Sequence, residues 1–206
     1  MKQRLESIRK TFLWWPMLIV LAIILLDQVT KVWTVSASDG ANPSLIKVIL
    51  NDYVNIVHYR NKGAAWGMFS NNTSILAVIS LLAFIYFIFD FPALTENIKF
   101  RKFSWSLLIG GVFGNFIDRA FRPEGVVDML EVFIPIPSFL HSFAEKFVRL
   151  TDYGAYHFPA FNVADAGICV GVLSYFFHVV FFSKKKEEVK EQVESGKEAD
   201  EKKQAQ

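Results

Sequence analysis

The sequence has few of the residues that most catalytic and metal sites need. Cys169 is its single cysteine, so no disulfide can form within the chain and no CxxC site exists. It contains no HExxH motif of a zinc protease, no GxSxG motif of a serine hydrolase, and no phosphate-binding or dinucleotide motif. No metal-ligand spacing relates the histidines, which are His58, His141, His157 and His178. We therefore expect no metal and no cofactor.

An excess of charge of one sign is also absent. The formal net charge is +2, so no overall field favours nucleic acid as a partner. Apolar residues, in contrast, make up 52% of the chain, with 21 phenylalanines, and the mean hydropathy is +0.30. These residues fall into blocks about as long as a bilayer is thick, which predicts an integral membrane protein.

Four apolar segments predict four transmembrane helices, at about residues 12–35, 74–91, 103–121 and 161–182. The first segment follows a basic stretch, but it is too long for a signal peptide, contains charges and lacks a small-residue cleavage site. We interpret residues 1–182 as a single membrane-embedded domain. Residues 183–206 are rich in lysine and glutamate and are interpreted as a charged, disordered tail.

The stretches between the spans predict two further features. Residues 45–50 and 53–59 are rich in β-branched and aromatic side chains, which predicts a small hairpin outside the membrane. Apolar residues at helical spacing in 138–150 predict a helix in the membrane interface, with a packed surface helix as the alternative. The predicted fold class is mainly α, with four transmembrane helices, a small extramembrane β-platform and an interfacial helix.

Clusters of positive charge predict the orientation. They lie in residues 1–11, 99–102 and 184–186, on one side of a protein with four spans, so both termini are expected in the cytoplasm. The segments 36–72 and 122–160 are then outside. Several polar residues at the ends of the spans also gather near this outer face: Asp27, Lys31, Asn115, Asp118, Arg119, Asp128, Asn162 and Asp165.

Two of these residues, Asp128 and Asp165, have no obvious local cation. Asp128 follows two valines just beyond the third span, and Asp165 lies one turn into the fourth. If these two helices are neighbours, the carboxylates can meet, and in a low-dielectric site one of them keeps a proton. Such a pair suits aspartic-protease chemistry, in which one carboxylate deprotonates water and the other binds the scissile carbonyl. Two structural or capping aspartates are the alternative.

The other polar residues are spaced along single helices. Asp27 and Lys31 are four residues apart and can form a structural ion pair. Asn115 and Arg119 share a helix face in the same way. The guanidinium of Arg119 could anchor a carboxylate, a lipid headgroup or a peptide carbonyl, or it could reach out to the interface.

Five motifs follow one another in a recognisable order. Each alone is weak, but together, over about residues 15–182, they resemble the bacterial lipoprotein signal peptidases, or type II signal peptidases. The motifs are Asp27-Gln28-x-Thr30-Lys31, Asn61-x-Gly63-Ala64-Ala65-x-Gly67, Gly110-Gly111-x-x-Gly114-Asn115-x-x-Asp118-Arg119, Val126-Val127-Asp128 and Phe161-Asn162-x-Ala164-Asp165.

The resemblance implies a four-helix aspartic endopeptidase, in which Asp128 and Asp165 match the catalytic dyad. Such enzymes cut the signal peptide from a prolipoprotein just before the diacylglyceryl-modified cysteine. Other residues match conserved positions around the site. Asn115 and Arg119 are expected to orient the dyad and the substrate backbone, Asn61 to face the substrate, Asp27 and Lys31 to brace the site, Asn162 to support it, and Gly63 to leave room for the substrate.

The same resemblance implies the partners and the location. We expect diacylglyceryl-modified prolipoproteins and membrane lipids as partners, a monomer in the bacterial inner membrane, and an active site that faces the periplasm or exterior. The hairpin resembles the family's β-cradle and the helix at 138–150 its flap, although the segment from 129 to 161 is longer than usual. A small proton- or ion-coupled transporter and a non-enzymatic scaffold are the alternatives.

Overall fold

The computed structural model describes residues 1–50, 53–63, 72–146, 151 and 155–183. The helices are α1 (Lys2–Thr11), α2 (Trp15–Ala37), α3 (Thr73–Thr95), α4 (Lys99–Phe121), α5 (His141–Ala144) and α6 (Val163–His178), which a π-helical turn (Val179–Ser183) extends. The strands are β1 (Ser44–Leu50), β2 (Val54–Asn61), β3 (Val126–Pro135) and β4 (Ala155–Phe161).

The four predicted spans correspond to α2, α3, α4 and α6, with different ends. Of these helices, α2, α3 and residues 163–182 are long and apolar enough to cross a membrane. Helix α3 runs past its predicted end at Phe91 because Pro92 removes one helical donor without stopping the helix, which ends at the left-handed Glu96. Helix α4 begins before Phe103, so the basic residues from Lys99 onward are helical and do not form a loop.

Helix α4 is the centre of the bundle and packs against α2, α3 and α6. Glycines make this close approach possible. A Cβ atom at Gly111 would lie 2.3 Å from the carbonyl oxygen of Ala164, and one at Gly114 would lie 2.8 Å from Asp27 Oδ2. Because α4 touches three neighbours, its polar residues are held inside the bundle.

The strands form one antiparallel sheet in the order β1-β2-β3-β4. Strands β1 and β2 confirm the predicted hairpin. Strands β3 and β4 were not predicted, and Phe161, which was assigned to the fourth span, is the last residue of β4. The register pairs Asp128 of β3 with Tyr59 of β2 and pairs Val126 with Asn61.

The predicted helix at 138–150 is only partly present. Residues Ser138–Leu140 form a 3₁₀ turn and α5 adds four residues, so the described part has no continuous amphipathic helix. Phe139 and Phe143 are 82% and 62% exposed. The remainder of this prediction, at 147–150, lies outside the described residues, as do residues 64–67 of the second motif and the tail from 184 onward.

Candidate active site

Asp165 is fixed by the way helix α6 begins. Asn162 is the N-cap, and its side-chain oxygen accepts a hydrogen bond of 2.9 Å from the backbone N–H of Asp165. Asp165 Oδ2 in turn accepts the backbone N–H of Asn162 at 3.2 Å, which completes a reciprocal capping box. The first turn of a helix also favours a negative charge. Local sequence therefore sets the position of this carboxylate.

Asp128 reaches the same place from the sheet. It is the third residue of β3 and is 1% exposed. Its Oδ1 accepts a 2.7 Å hydrogen bond from Asn162 Nδ2, and its Oδ2 accepts a 3.1 Å bond from Asn61 Nδ2. Burial and then the nearby charge of Asp165 raise the pKa of Asp128 to about 7, against the opposing effect of these two hydrogen bonds.

Two asparagine side chains join the carboxylates. Asn115 of α4 donates from Nδ2 to Asp165 Oδ1 at 2.7 Å. Asn162 donates to Asn115 Oδ1 at 3.2 Å as well as to Asp128, so it contacts both sides of the site. The side-chain donors to this pair within the described ranges are thus neutral amides. The convergence of Asp128 and Asp165, expected only if the third and fourth spans were neighbours, is observed.

Two further residues of the second and third motifs lie at the edge of this network. Gly63 is buried, and its N–H donates to Asn61 Oδ1 at 3.0 Å, which orients the amide that binds Asp128. Arg119 donates from Nη1 to Ser80 Oγ of α3 at 3.2 Å. Its Nε is buried without a partner among the described residues, and its charge acts on both carboxylates without forming an ion pair.

A second cluster of charges lies beside the first. Lys31 Nζ is 2.8 Å from Asp27 Oδ2 and 3.1 Å from Asp118 Oδ2, and all three side chains are fully buried. The predicted ion pair is therefore present. The third donor position of Lys31 is used by Asn115 Oδ1, at 3.0 Å. Arg122 also pairs with Asp118, so two cations face two carboxylates.

This cluster fixes the backbone next to each member of the first pair. Asp27 Oδ1 accepts the N–H of Ala164, the residue before Asp165, at 2.9 Å. Asp118 Oδ2 accepts the N–H of Val127, the residue before Asp128, at 3.0 Å. Sequence reasoning had placed Asp118 near the outer face but had given it no role. Its spacing of four residues from Arg122 was the signal that could have found it.

Comparisons with known proteins agree with the motifs. A family model described as signal peptidase (SPase) II matches residues 19–181. The chain belongs to this family. The lipoprotein signal peptidase of Bacillus velezensis is 35% identical over 171 residues, which cover 83% of this chain and 97% of that protein.

Two solved structures of bacterial membrane enzymes, both obtained by the in meso method, have the same fold. The one at 2.3 Å resolution has 28% identity and a TM-score of 0.65, over 83% of this chain and 90% of the other. The one at 1.9 Å has 28% identity and a TM-score of 0.60, over 81% and 93%. This signal peptidase II is an aspartic endopeptidase of the inner membrane that removes signal peptides from prolipoproteins. None of the comparisons supports the transporter alternative.

Proposed function

We propose that Asp128 and Asp165 are the catalytic dyad of this signal peptidase II. The observation that carries the proposal is the shared amide network, in which Asn162 bonds to Asp128 and Asn115 bonds to Asp165 while the two asparagines bond to each other. The arrangement brings two carboxylates together without an ion pair to either, among the residues described. Two acids in such a site compete for one proton, as aspartic-protease chemistry requires.

The two carboxylates have different parts in the mechanism. With its pKa raised to about 7, Asp128 keeps much of its proton at neutral pH and donates a hydrogen bond to the scissile carbonyl. Asp165 is less buried and takes a proton from water, whose oxygen attacks the carbonyl carbon. Asp165 then passes that proton to the departing amine when the C–N bond breaks. Arg119 supplies positive charge nearby.

The supporting residues hold this geometry. Asn61, Asn115 and Asn162 orient the carboxylates through the hydrogen bonds that they donate. Asp27 and Lys31 hold the start of α6 and the charge balance of the bundle. Gly63 leaves space beside Asn61 for the substrate.

The position of α4 supports the proposed membrane arrangement. Its charges lie near both ends, from Lys99 to Lys102 and from Asp118 to Arg119, and its 23 residues give a length of about 35 Å, enough to span a bilayer. With α2, α3 and α6 around it, we infer four spans within a single domain of residues 1–182. The basic N-terminus and the charged tail are then cytoplasmic.

This orientation places the dyad at the outer interface. A diacylglyceryl-modified cysteine would keep its acyl chains in the membrane there, while water reaches the scissile bond. The exposed Phe139 and Phe143 favour contact of the α5 segment with the same interface. The enzyme acts as a monomer, in contact with membrane lipids and with prolipoproteins.

The test is cleavage of a diacylglyceryl-modified prolipoprotein by the purified protein and by Asp128→Asn and Asp165→Asn. Each variant should lose about a thousandfold in kcat, which is the scale of acid–base catalysis. Asp39→Asn is the matched control, because Asp39 is an exposed acid outside the network, and it should cut normally. A folded Asp128→Asn or Asp165→Asn variant that cuts at the rate of the control would contradict the assignment.

A further inference from the structure

A cavity of about 400 Å³ lies on the other side of the sheet from the dyad. It opens between the C-terminal ends of α2 and α4, beside Arg60 of β2. Neighbouring residues of a strand point to opposite faces, and Asn61, the neighbour of Arg60, faces Asp128. The cavity is therefore separate from the proposed active site.

Arg60 is the most unusual residue of this cavity. Its side chain is only 11% exposed, and its Nη2 pairs with Glu124 at 3.1 Å. Its Nε and Nη1 atoms are buried and have no hydrogen-bond partner in the described part of the chain. Unpaired buried donors are costly, and a guanidinium presents such donors in the planar fork that binds phosphate. The atoms thus point to an anionic ligand.

The charges around the cavity favour the same ligand. Arg122 is a second cation in the lining, although it also pairs with the buried Asp118. Glu124 is the one acid in the lining, and its side chain is 73% exposed. Because Asp118 already balances Arg122, an anion would be held mainly by Arg60, whose charged partner among the described residues is the solvated carboxylate of Glu124, with Arg122 as a second donor.

The remaining walls are apolar and continue onto the outer surface of the helices. Val32 of α2 is 58% exposed and Phe121, the last residue of α4, is 75% exposed. In a membrane protein such side chains face lipid. A ligand that fits both the guanidinium groups and the apolar walls has an anionic head and at least one hydrocarbon chain.

We propose that this cavity binds a glycerophospholipid, with the phosphate on Arg60 and Arg122 and an acyl chain along Val32 and Phe121. The diacylglyceryl group of a substrate carries no phosphate, so it would not satisfy the guanidinium groups. Inorganic phosphate has no chain to cover the apolar wall. The site is thus a lipid site that is distinct from the place where cleavage occurs.

Native mass spectrometry of the full chain in detergent, titrated with dioleoyl phosphatidylglycerol, tests this proposal. We expect one saturable lipid adduct that Arg60→Gln weakens about fivefold, which is the contribution of one cation near a lipid headgroup. Lys62→Gln is the matched control, because Lys62 is exposed and lies outside the cavity. Glu124→Gln should strengthen binding, since it removes the negative charge that competes with the phosphate for Arg60.

The comparison ligands are dioleoylglycerol and inorganic phosphate, and both should bind much more weakly. The proposal is overturned if dioleoylglycerol binds as well as the phospholipid, if inorganic phosphate alone does so, or if Lys62→Gln weakens binding as much as Arg60→Gln. If Arg60→Gln does not fold, Glu124→Gln decides alone, and unchanged or weaker binding by that variant overturns the proposal.

Discussion

Two pairs of aspartates lie side by side in this protein, and one pair has cations as partners while the other has neutral amides. Asp27 and Asp118 face Lys31, and Asp118 also faces Arg122. Asp128 and Asp165 receive side-chain hydrogen bonds from asparagines. The first pair lies on α2 and α4, the second lies on β3 and α6, and the two pairs differ in the groups that surround them.

This difference in partners suggests a structural role for the first pair and a catalytic role for the second. A carboxylate that is paired with a buried cation is held in place, and removing its partner leaves an uncompensated charge. Burial and then the nearby charge of Asp165 raise the pKa of Asp128, and the hydrogen bonds from its neutral amide donors offset only part of that rise. The first pair therefore suits a scaffold, and the second suits proton transfer at neutral pH.

Removing the cation of the first pair should have the largest effect on stability. Lys31→Met leaves two fully buried carboxylates without their shared partner, so we expect a loss of about 3–5 kcal/mol in the free energy of unfolding. Thermal unfolding in detergent measures it. Lys62→Met, at an exposed lysine, is the control. If both variants melt like the wild type, the buried cluster does not hold the bundle.

Removing an amide of the second pair should slow catalysis and should reduce stability less than removing Lys31 does. Asn162→Ser retains an N-cap oxygen for Asp165 but loses the donor to Asp128. Asp128 is neutral in the proposed mechanism, and a hydrogen bond between neutral groups contributes about 0.5–1.5 kcal/mol, so we expect kcat to fall about 2- to 10-fold. The free energy of unfolding should fall by about 1–3 kcal/mol, because the fully buried amide also donates to Asn115 Oδ1 and to the Val127 carbonyl.

Asn162→Ala supplies the contrast for this prediction, since it removes the cap as well as the amide. It should be less stable than Asn162→Ser and no more active. If the Asn162→Ser variant and the wild type have equal kcat, the amide does not position Asp128.

The pH dependence should show a smaller effect of the same network. In the proposed mechanism Asp128 must carry its proton, so kcat/KM should fall as the pH rises through about 7. The hydrogen bond from Asn61 lowers the pKa of Asp128, so Asn61→Ala should move the alkaline limb to higher pH. A limb that moves to lower pH, or that does not move in this folded variant, would contradict the assignment of the proton to Asp128.

The helices and the convergence of the two acids could be predicted from the sequence because both depend on residues that are close together in the chain. Long apolar segments predict spans, and the capping residue Asn162 stands three residues before Asp165. Strands β3 and β4 escaped prediction for a physical reason. Val126 and Val127 are buried on opposite faces of an inner strand, so they show no alternation, and Pro159 interrupts the pattern of the edge strand β4.

The role of Asp118 also required the structure. It depends on Lys31, which is 87 positions away in the chain, and on the backbone of Val127 across a turn. Such contacts arise only when α2, α4 and β3 pack together. The full extent of α4 is a similar case. Its apolar part, residues 103–121, was predicted, but the structure was needed to show that the basic residues from Lys99 to Lys102 belong to the same helix and that this helix is the centre of the bundle.

The most direct measurement compares the thermal unfolding of Asp118→Asn and Asp128→Asn with that of the wild type at pH 8. The pKa of Asp128 is raised from its ordinary value of 3.8 to about 7 in the folded protein, so the folded state binds more protons between these values. Its contribution to stability is therefore lost as the pH rises through this range, by up to about 4 kcal/mol above pH 7.

Asp128→Asn should consequently be inactive and more stable than the wild type at pH 8, with the difference vanishing near pH 4. Asp118→Asn removes a partner of Lys31 and Arg122, so it should be less stable at pH 8. The predicted result is that, relative to the wild type at pH 8, Asp128→Asn raises the free energy of unfolding and Asp118→Asn lowers it. If both variants lose stability at pH 8, the two pairs are not different in kind, and the separation of scaffold from dyad is contradicted.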